Sequence, residues 1–228
     1  MSSVDLAGSF VPKVGELLVV CAHPDDESFG LGGVLGAFVD RGTHVRVLCF
    51  THGEASTLGT DPRFLGERRA QELDAAARAL GVRTVKLHGY PDGHLAAVEL
   101  EELVARVGEE AGGAELLLAF DLGGVTGHPD HVRATEAALA YAAERRLPVL
   151  GWALPKAVAV RLNAELGTAF VGRASDELDF TLEVDRDRQV TAIACHASQS
   201  GDNPVLWRRL ELLGTSEHLR WLLGPPGS

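Results

Sequence analysis

Short apolar runs rich in valine and leucine alternate with longer stretches of helical periodicity along most of this 228-residue chain. The apolar runs predict strands, and the periodic stretches predict helices. Alternation of this kind predicts an α/β fold with a mostly parallel sheet that is covered by helices on both faces. The predicted strands cover residues 16–21, 44–50, 83–87, 115–120 and 148–154, and the predicted helices cover residues 31–41, 66–80, 98–110 and 131–145.

The last third of the chain carries a less regular pattern. It predicts helices over residues 155–168 and 185–198, a strand over 180–184, and two short helices over 207–213 and 217–223. Because neither a linker nor an internal repeat interrupts the sequence, a single domain over residues 1–228 is predicted. Its core is expected at about residues 16–200, followed by a helical C-terminal segment at about residues 201–223.

Polar loops follow several of the predicted strands. They cover residues 23–30, 51–65, 88–95 and 121–127. In open parallel sheets, ligands bind beyond the carboxyl ends of the strands, near the point where the strand order reverses. We therefore expect these loops to meet at one rim of the sheet and to form the functional site there.

Two segments at this rim place candidate metal ligands three residues apart. The first holds His23 and Asp26, and the second holds His128 and His131. Three nitrogen or oxygen ligands with an open fourth position are the usual arrangement of a catalytic zinc ion, and Fe²⁺ accepts similar ligands. Spacing alone also leaves open the alternative that His128 is the ligand and His131 is not.

The neighbouring side chains offer acid–base chemistry. Side chains at adjacent positions diverge, so Asp25 stays free of the metal if Asp26 binds it, and Asp25 is then a candidate general base. A protonated His128 would stabilise the oxyanion of a tetrahedral intermediate, with Asp130 holding its ring. Glu54 lies in another loop of the same rim and is a candidate for substrate binding.

Charge and cysteine content narrow the classes of partner. A formal net charge of −11 argues against nucleic acid, which requires a basic face. No run approaches the ~20 apolar residues of a membrane span, and the first residues lack the pattern of a secretory signal. Cys21, Cys49 and Cys195 have no CxxC spacing, which is typical of free thiols in a reducing compartment. A cytoplasmic protein is expected.

The two histidine segments resemble motifs of the PIG-L-type (LmbE-like) de-N-acetylase family. AHPDDE at residues 22–27 and GHPDH at residues 127–131 each follow an apolar strand. Other segments also resemble the family, namely THGEA at 51–55, an R-x-x-E helix at 69–72, YPDG at 90–93 and HASQ at 196–199. The resemblance covers most of residues 16–200.

This resemblance implies a Rossmann-like, three-layer α/β/α fold with a zinc site. It implies that the metal ligands are His23, Asp26 and His131. It also implies that Asp25 is the general base and that His128 stabilises the oxyanion and protonates the leaving amine.

Arg69 and Asp92 match family positions that help to hold the sugar conjugate. A lysine that is common before the HASQ segment is replaced here by Gln189, so the C-terminal third says less about the substrate. The expected partner is a small-molecule amino-sugar conjugate. Because acidic Rossmann-like enzymes often self-associate, a homo-oligomer is also compatible with the resemblance.

The resemblance implies a zinc-dependent N-deacetylase, that is, a hydrolase of linear amide C–N bonds. Its expected reaction is removal of the N-acetyl group from an N-acetylglucosamine-type conjugate by activated water. Two alternatives stay open at this point. One is a metal-dependent hydrolase of another bond, such as a phosphoester, and the other is a non-catalytic binding domain of the same fold.

Overall fold

A seven-stranded sheet forms the centre of the computed structural model, which describes residues 11–58 and 62–225. Residues 1–10, on which the prediction of no secretory signal rests, lie outside the described residues, as do residues 59–61 of the polar loop and residues 226–228. The strands are β1 (Glu16–Cys21), β2 (His44–Thr51), β3 (Thr84–Tyr90), β4 (Leu116–Phe120), β5 (Val149–Trp152), β6 (Leu154–Pro155), β7 (Gly172–Arg173), β8 (Phe180–Glu183) and β9 (Ser216–Leu223).

Helices connect most of these strands and cover the sheet. They are α1 (Asp26–Phe29), α2 (Gly32–Asp40), α3 (Leu65–Leu80), α4 (Leu100–Glu110), α5 (Pro129–Arg145), α6 (Lys156–Leu166), α7 (Arg186–Cys195), α8 (Ala197–Ser200) and α9 (Pro204–Leu213). Single 3-10 turns at Pro62–Phe64, Leu95–Ala97 and Ser175–Glu177 lie in the loops.

The strand order in the large sheet is β3-β2-β1-β4-β5-β9-β8. The first five strands of this order are parallel, and β9 pairs antiparallel with both β5 and β8. The order reverses between β1 and β4, because the chain first builds outward through β2 and β3 and then returns to the other side of β1. The prediction of an α/β fold with a mostly parallel sheet is confirmed.

Both faces of the sheet are buried. On β1, Leu17 and Val19 belong to one hydrophobic cluster, whereas Leu18 and Val20 belong to the cluster on the opposite face. Successive side chains of a strand point to opposite faces, and a strand buried on both sides therefore has a continuous apolar sequence. This explains why ELLVVC lacks the alternation of a half-exposed strand, and it gives the fold its three layers.

The predicted helix over residues 217–223 is wrong, because this segment forms β9. Its leucine, glutamate and arginine residues favour a helix locally, but Glu217 and Leu219 alternate with less buried neighbours, as in a strand. Pairing with β5 and β8 outweighs the local preference. The expected helical C-terminal segment therefore ends at Leu213, and the chain returns to the sheet.

Within residues 11–58 and 62–225, none of the helices combines the length and the apolar composition that crossing a membrane requires.

The place of β9 in the sheet gives a stability prediction. Leu219 is fully buried in the core, so we expect Leu219→Ala to lower the free energy of unfolding by about 2–5 kcal/mol. Leu166→Ala is the control, because Leu166 is 37% exposed and its loss should cost about 0.5 kcal/mol or less. Urea unfolding of both variants measures the difference. If both variants lowered the free energy of unfolding by the same small amount, Leu219 would not lie in the core and β9 would be misplaced.

Candidate active site

The site lies at the carboxyl ends of β1 and β4, where the strand order reverses. After β1 the chain turns sharply at Asp25, whose φ of 123° is in a region that non-glycine residues rarely adopt. Strain of this kind costs about 1–3 kcal/mol and persists only where the surroundings hold it. The Asp25 N–H donates to Glu27 Oε2 at 2.9 Å, and the Asp25 carbonyl accepts from the N–H groups of Ser28 and Phe29. These bonds hold the turn.

A cluster of nitrogen and oxygen donors surrounds one point above this turn. His23 Nδ1 lies 3.1 Å from His131 Nε2, and His131 Nε2 lies 3.2 Å from Asp26 Oδ1. Ligands bound at about 2.0–2.2 Å in a tetrahedral metal site are separated by about 3.3 Å. The His23–His131 and the His131–Asp26 separations therefore each fit two ligands of one divalent metal. The other Asp26 oxygen, Oδ2, accepts from the N–H groups of Ala22 and His23, at 3.0 and 2.9 Å.

Hydrogen bonds fix which nitrogen of each ring faces this point. His131 Nδ1 is 3.2 Å from the Gly124 carbonyl, which can only accept, so Nδ1 carries the proton and Nε2 offers a lone pair. His23 Nε2 lies 2.9 Å from Asp92 Oδ1 and 3.3 Å from Asp130 Oδ2. Carboxylates often orient metal-binding histidines in this way.

The donor set includes more residues than one metal requires. Ligand atoms of His23, His128 and His131 lie within 4.8 Å of one another, and so do those of His23, Asp92 and Asp130. Asp26 belongs to neither group and joins the cluster through its contact with His131. His23 belongs to both groups. We therefore regard His23 as the centre of the candidate metal site.

The charges around His23 strongly affect its proton. Burial lowers the pKa of His23, but hydrogen bonds to Asp130 and Asp92 and the charge of Asp26 outweigh burial and raise the pKa to about 10. Burial likewise acts to raise the pKa of Asp26, but His131 and His23 hold it well below its usual range. At pH 7 the metal-free ring of His23 is therefore charged, opposite the carboxylates of Asp92 and Asp130.

The expected role of Asp130 needs a correction. Its carboxylate is fully buried and accepts from His23, from the Gly93 N–H at 2.7 Å and from the Leu95 N–H at 3.0 Å. Asp130 does hold the His128 ring, but through its backbone N–H, which donates to His128 Nδ1 at 3.2 Å. This contact arises because His128 is the N-cap of α5.

The expected protonated state of His128 also needs a correction. Burial lowers the pKa of His128, and the nearby rings of His23 and His131 lower it further. Because Nδ1 accepts from the backbone, the single ring proton of neutral His128 is on Nε2. His128 therefore offers a neutral N–H donor at the edge of the cavity rather than a positive charge.

Asp25 and Arg69 form an ion pair at the wall of the cavity. Arg69 Nη2 is 3.0 Å from Asp25 Oδ2, and the same guanidinium donates to the carbonyls of Gly53 and Pro24. Burial raises the pKa of Asp25 to about 6, although the charge of Arg69 opposes the shift. Arg69 lines the cavity, as expected of a substrate-binding residue, but it is only 3% exposed and its main partners are Asp25 and two loops.

The structure separates the other two residues that were expected to bind substrate. Asp92 lines the cavity, with Oδ1 on His23 and Oδ2 accepting from the Ala55 N–H at 2.9 Å. Glu54 does not line it and faces a neighbouring surface pocket instead. Its carboxylate accepts from the Asp92 N–H at 3.0 Å and so joins two loops.

Glu27 and His196 form a buried pair to which the sequence assigned no clear role. Both are fully buried, with His196 Nε2 2.6 Å from Glu27 Oε1. Because Glu27 Oε2 binds the Asp25 N–H, the pair supports the strained turn. The AHPDDE and HASQ motifs contain both residues, but only the fold shows that they meet.

A cavity of about 540 Å³ opens above the donor cluster. His23, Asp25, Asp26, His128 and His131 all line it. Much of the remaining lining is aromatic and aliphatic, with contributions from Phe29, Phe120, Val125, Trp152, Phe170 and Leu206. A binding site with a few convergent polar groups and an apolar wall is typical of small-molecule enzymes.

The sequence is similar to a known protein family. Residues 18–142 match the PIG-L family profile, which is described as GlcNAc-PI de-N-acetylase. The 1D-myo-inositol 2-acetamido-2-deoxy-alpha-D-glucopyranoside deacetylase of Kineococcus radiotolerans is 34% identical over 154 residues, which are 53% of this chain and 43% of that protein. The aligned part thus spans less than half the length of that relative.

Two further proteins are similar along nearly the whole chain. The probable N-acetyl-alpha-D-glucosaminyl L-malate deacetylase 2 of Bacillus anthracis is 29% identical over 221 residues, which are 92% of each protein. The crystal structure of the A40926 pseudoaglycone deacetylase Dbv21 superimposes with a TM-score of 0.66 at 24% identity, covering 92% of this chain and 97% of that chain. At this identity the second similarity shows a shared fold.

The close approach of Gly53 to Arg69 gives a prediction for the site. Gly53 has a φ of 64°, and a Cβ there would overlap the Arg69 guanidinium. We expect Gly53→Ala to lower both the free energy of unfolding and turnover, because Arg69 must move away from Asp25.

Gly167→Ala is the matched control, since Gly167 has a φ of 65° and a Cβ there would meet no described atom within 4 Å. It should show only the backbone cost of about 1–2 kcal/mol. Urea unfolding and kcat of both variants make the comparison. Equal losses of stability with unchanged kcat would contradict the proposed support of Asp25 by Arg69.

Proposed function

The chain belongs to the PIG-L family, described as GlcNAc-PI de-N-acetylase, and we propose that it is a metal-dependent hydrolase that removes the N-acetyl group from an N-acetylglucosamine-type conjugate. The observation that carries this proposal is the donor cluster of His23, Asp26 and His131 beside the carboxylate of Asp25. The deacetylase names of the relatives support the same reaction.

We assign His23, Asp26 and His131 as metal ligands, with zinc as the expected ion and Fe²⁺ as the alternative. His131 is preferred over His128 because its Nε2 lies close to both other ligands, whereas His128 Nδ1 accepts from the backbone. When bound, the metal would supply Lewis acidity that polarises the amide carbonyl and acidifies water.

Asp25 is the proposed general base. Its pKa of about 6 lets it be ionised at neutral pH and still accept a proton effectively, which is the range that suits a base under these conditions. In the proposed reaction, water attacks the acetyl carbon while one of its protons passes to the Asp25 carboxylate. Arg69 holds this carboxylate in place.

His128 is the proposed donor to the carbonyl oxygen of the substrate. Its Nε2–H would bind the oxyanion as negative charge develops there, which is the kind of contact that accelerates acyl transfer. The C–N bond then breaks, and the proton held by Asp25 passes to the leaving nitrogen. The second proton of the water leaves the new carboxylic acid and is taken up by the amine, so the products are acetate and the protonated amine.

We also propose a reducing compartment, such as the cytoplasm, as the place of action. Cys21, Cys49 and Cys195 are free thiols. Burial raises the pKa of Cys21 and of Cys49, so both stay protonated and unreactive.

Acetate release is the test of the reaction. Metal-loaded wild-type protein should release acetate from N-acetylglucosaminyl conjugates. Asp25→Asn should lower kcat by roughly 10²–10⁴-fold but keep the metal, because only the base is lost. His131→Ala should lose the metal with normal folding. Acetate assays and elemental analysis separate the two effects. Near-full turnover of Asp25→Asn would overturn the assignment of the base.

Metal binding should release a proton. At pH 7 the metal-free protein holds a proton on His23, whose pKa is about 10, and a metal at Nδ1 must displace it. Titration calorimetry of zinc binding in buffers of different ionisation enthalpy should show release of roughly one proton per ion. The apparent affinity should therefore fall as the pH falls.

Asp92→Asn serves as the comparison for this measurement. It removes one of the two carboxylates on His23 Nε2, which should lower the pKa of His23. Proton release, followed as the pH rises, should therefore disappear at a lower pH in this variant than in the wild type. Zinc binding without any proton release by the wild type would argue against His23 as a ligand.

A further inference from the structure

Arg209 lies in the inner wall of the same cavity, on α9, far along the sequence from the histidine motifs. It is 8% exposed, and it lines the cavity together with the groups of the candidate metal site. Neither of the two histidine motifs includes it. Arginine is almost never this buried unless it is paired, so its partners decide what it does.

The hydrogen bonds of Arg209 are incomplete. Nη2 donates to the Phe29 carbonyl at 2.7 Å, and the guanidinium carbon lies 5.2 Å from the centre of the Trp152 ring. Nε is buried without a hydrogen-bond partner. Among residues 11–58 and 62–225, Nη1 also has no hydrogen-bond partner. Nε is closed off by its surroundings, so Nη1 is the nitrogen that remains available to a ligand in the cavity.

The charge of Arg209 is also incompletely balanced. The acid whose charge acts most strongly on it is buried Glu217, which already accepts from the Arg186 guanidinium and from the Trp152 indole N–H at 2.6 Å. Two arginines thus share one carboxylate, and one positive charge is left in excess at this wall. The charges of Asp25 and Asp26 also attract Arg209, but these acids have their own partners in Arg69 and His131.

An aromatic wall connects Arg209 to the candidate metal site. The His131 ring contacts Phe120 at 4.8 Å between ring centres, Phe120 contacts Trp152 at 5.5 Å, and Trp152 lies under Arg209. A ligand whose amide lies at His131 can follow this wall to the guanidinium without leaving the cavity. Burial lowers the pKa of Arg209 to about 10, so it is still a cation at neutral pH.

We propose that Arg209 is a substrate-binding residue that recognises a carboxylate on the amide substrate, at the inner end of the aromatic wall. The inference rests on the proposed function, because it places the scissile amide at the metal site. A single carboxylate matches the single excess charge, whereas a phosphate dianion exceeds it. The carboxylate belongs either to the group attached to the sugar or, where the protein also cleaves acyl groups longer than acetyl, to the far end of that N-acyl chain.

Two pairs of probes test the inference and distinguish the two sources. The first pair is N-acetyl-α-D-glucosaminyl L-malate and its neutral diamide. The second pair is N-succinylglucosamine and its neutral succinamoyl amide. Binding of each probe to zinc-loaded Asp25→Asn protein is measured by calorimetry, so no turnover is needed. We expect one acid to bind at least ~10-fold more tightly than its amide, because hydrogen bonds to charged groups are strong.

Arg209→Met in the same background should abolish that preference and change binding of the neutral amide by less than ~3-fold, because only the charged contact is lost. Arg209→Lys should keep part of the preference and covers the case in which Arg209→Met folds poorly. Arg208→Met is the matched control, since Arg208 precedes it on α9 and pairs with Glu165 and Glu211 outside the cavity.

Equal binding of acid and amide in both pairs would overturn the inference. So would an Arg209→Met variant that weakens acids and amides alike, since a structural role predicts that result. Failure of the proposed function gives a different result, namely no acetate release by zinc-loaded wild-type protein from any conjugate. The two failures can therefore be told apart.

Discussion

The candidate site depends on the parallel pairing of β1 with β4, where the strand order reverses. Residues 17–19 of β1 pair with residues 116–118 of β4, so the two following loops leave the sheet side by side. His23 and His131 are 108 positions apart in sequence, yet their ring nitrogens lie 3.1 Å apart. A site with donors from both motifs exists only while these strands are in register, because a slip of one residue would turn each side chain to the opposite face.

The same junction concentrates negative charge, and each buried carboxylate has a specific partner. Asp92 and Asp130 face His23, and Glu27 faces His196. A buried charge without a partner is strongly destabilising, so these contacts allow several acids to share one rim. The carboxylates also determine which nitrogen of a histidine ring can bind a metal. A carboxylate on one nitrogen of His23 leaves the other nitrogen turned toward the centre of the site.

Sequence patterns predicted most of the sheet, because its central strands are apolar on both faces and the polar motifs follow them directly. They failed at β9, whose partners β5 and β8 come from distant parts of the chain, so no local pattern contains the pairing. They also misassigned the carboxylate of Asp130. Asp130 is close to His128 in sequence, but at the N-terminus of α5 only its backbone N–H contacts the His128 ring. Its carboxylate contacts His23 instead. Arg209 and Trp152 lie outside every motif, so only the fold could bring them to the cavity.

Asp25 and Asp26 show how neighbouring, identical side chains acquire different chemistry. The φ of 123° at Asp25 directs its carboxylate to Arg69, whereas Asp26 begins α1 and turns back to the N–H groups at the end of β1. Burial raises the pKa of Asp25 to about 6. The same burial acts on Asp26, but His131 outweighs it and keeps the pKa low. A carboxylate with a low pKa suits a metal ligand, and one with a pKa near neutrality suits a general base. The backbone turn therefore gives the two adjacent aspartates different roles. Glu27 binds the Asp25 N–H and holds that turn, which gives the last acid of the motif a physical reason to be buried.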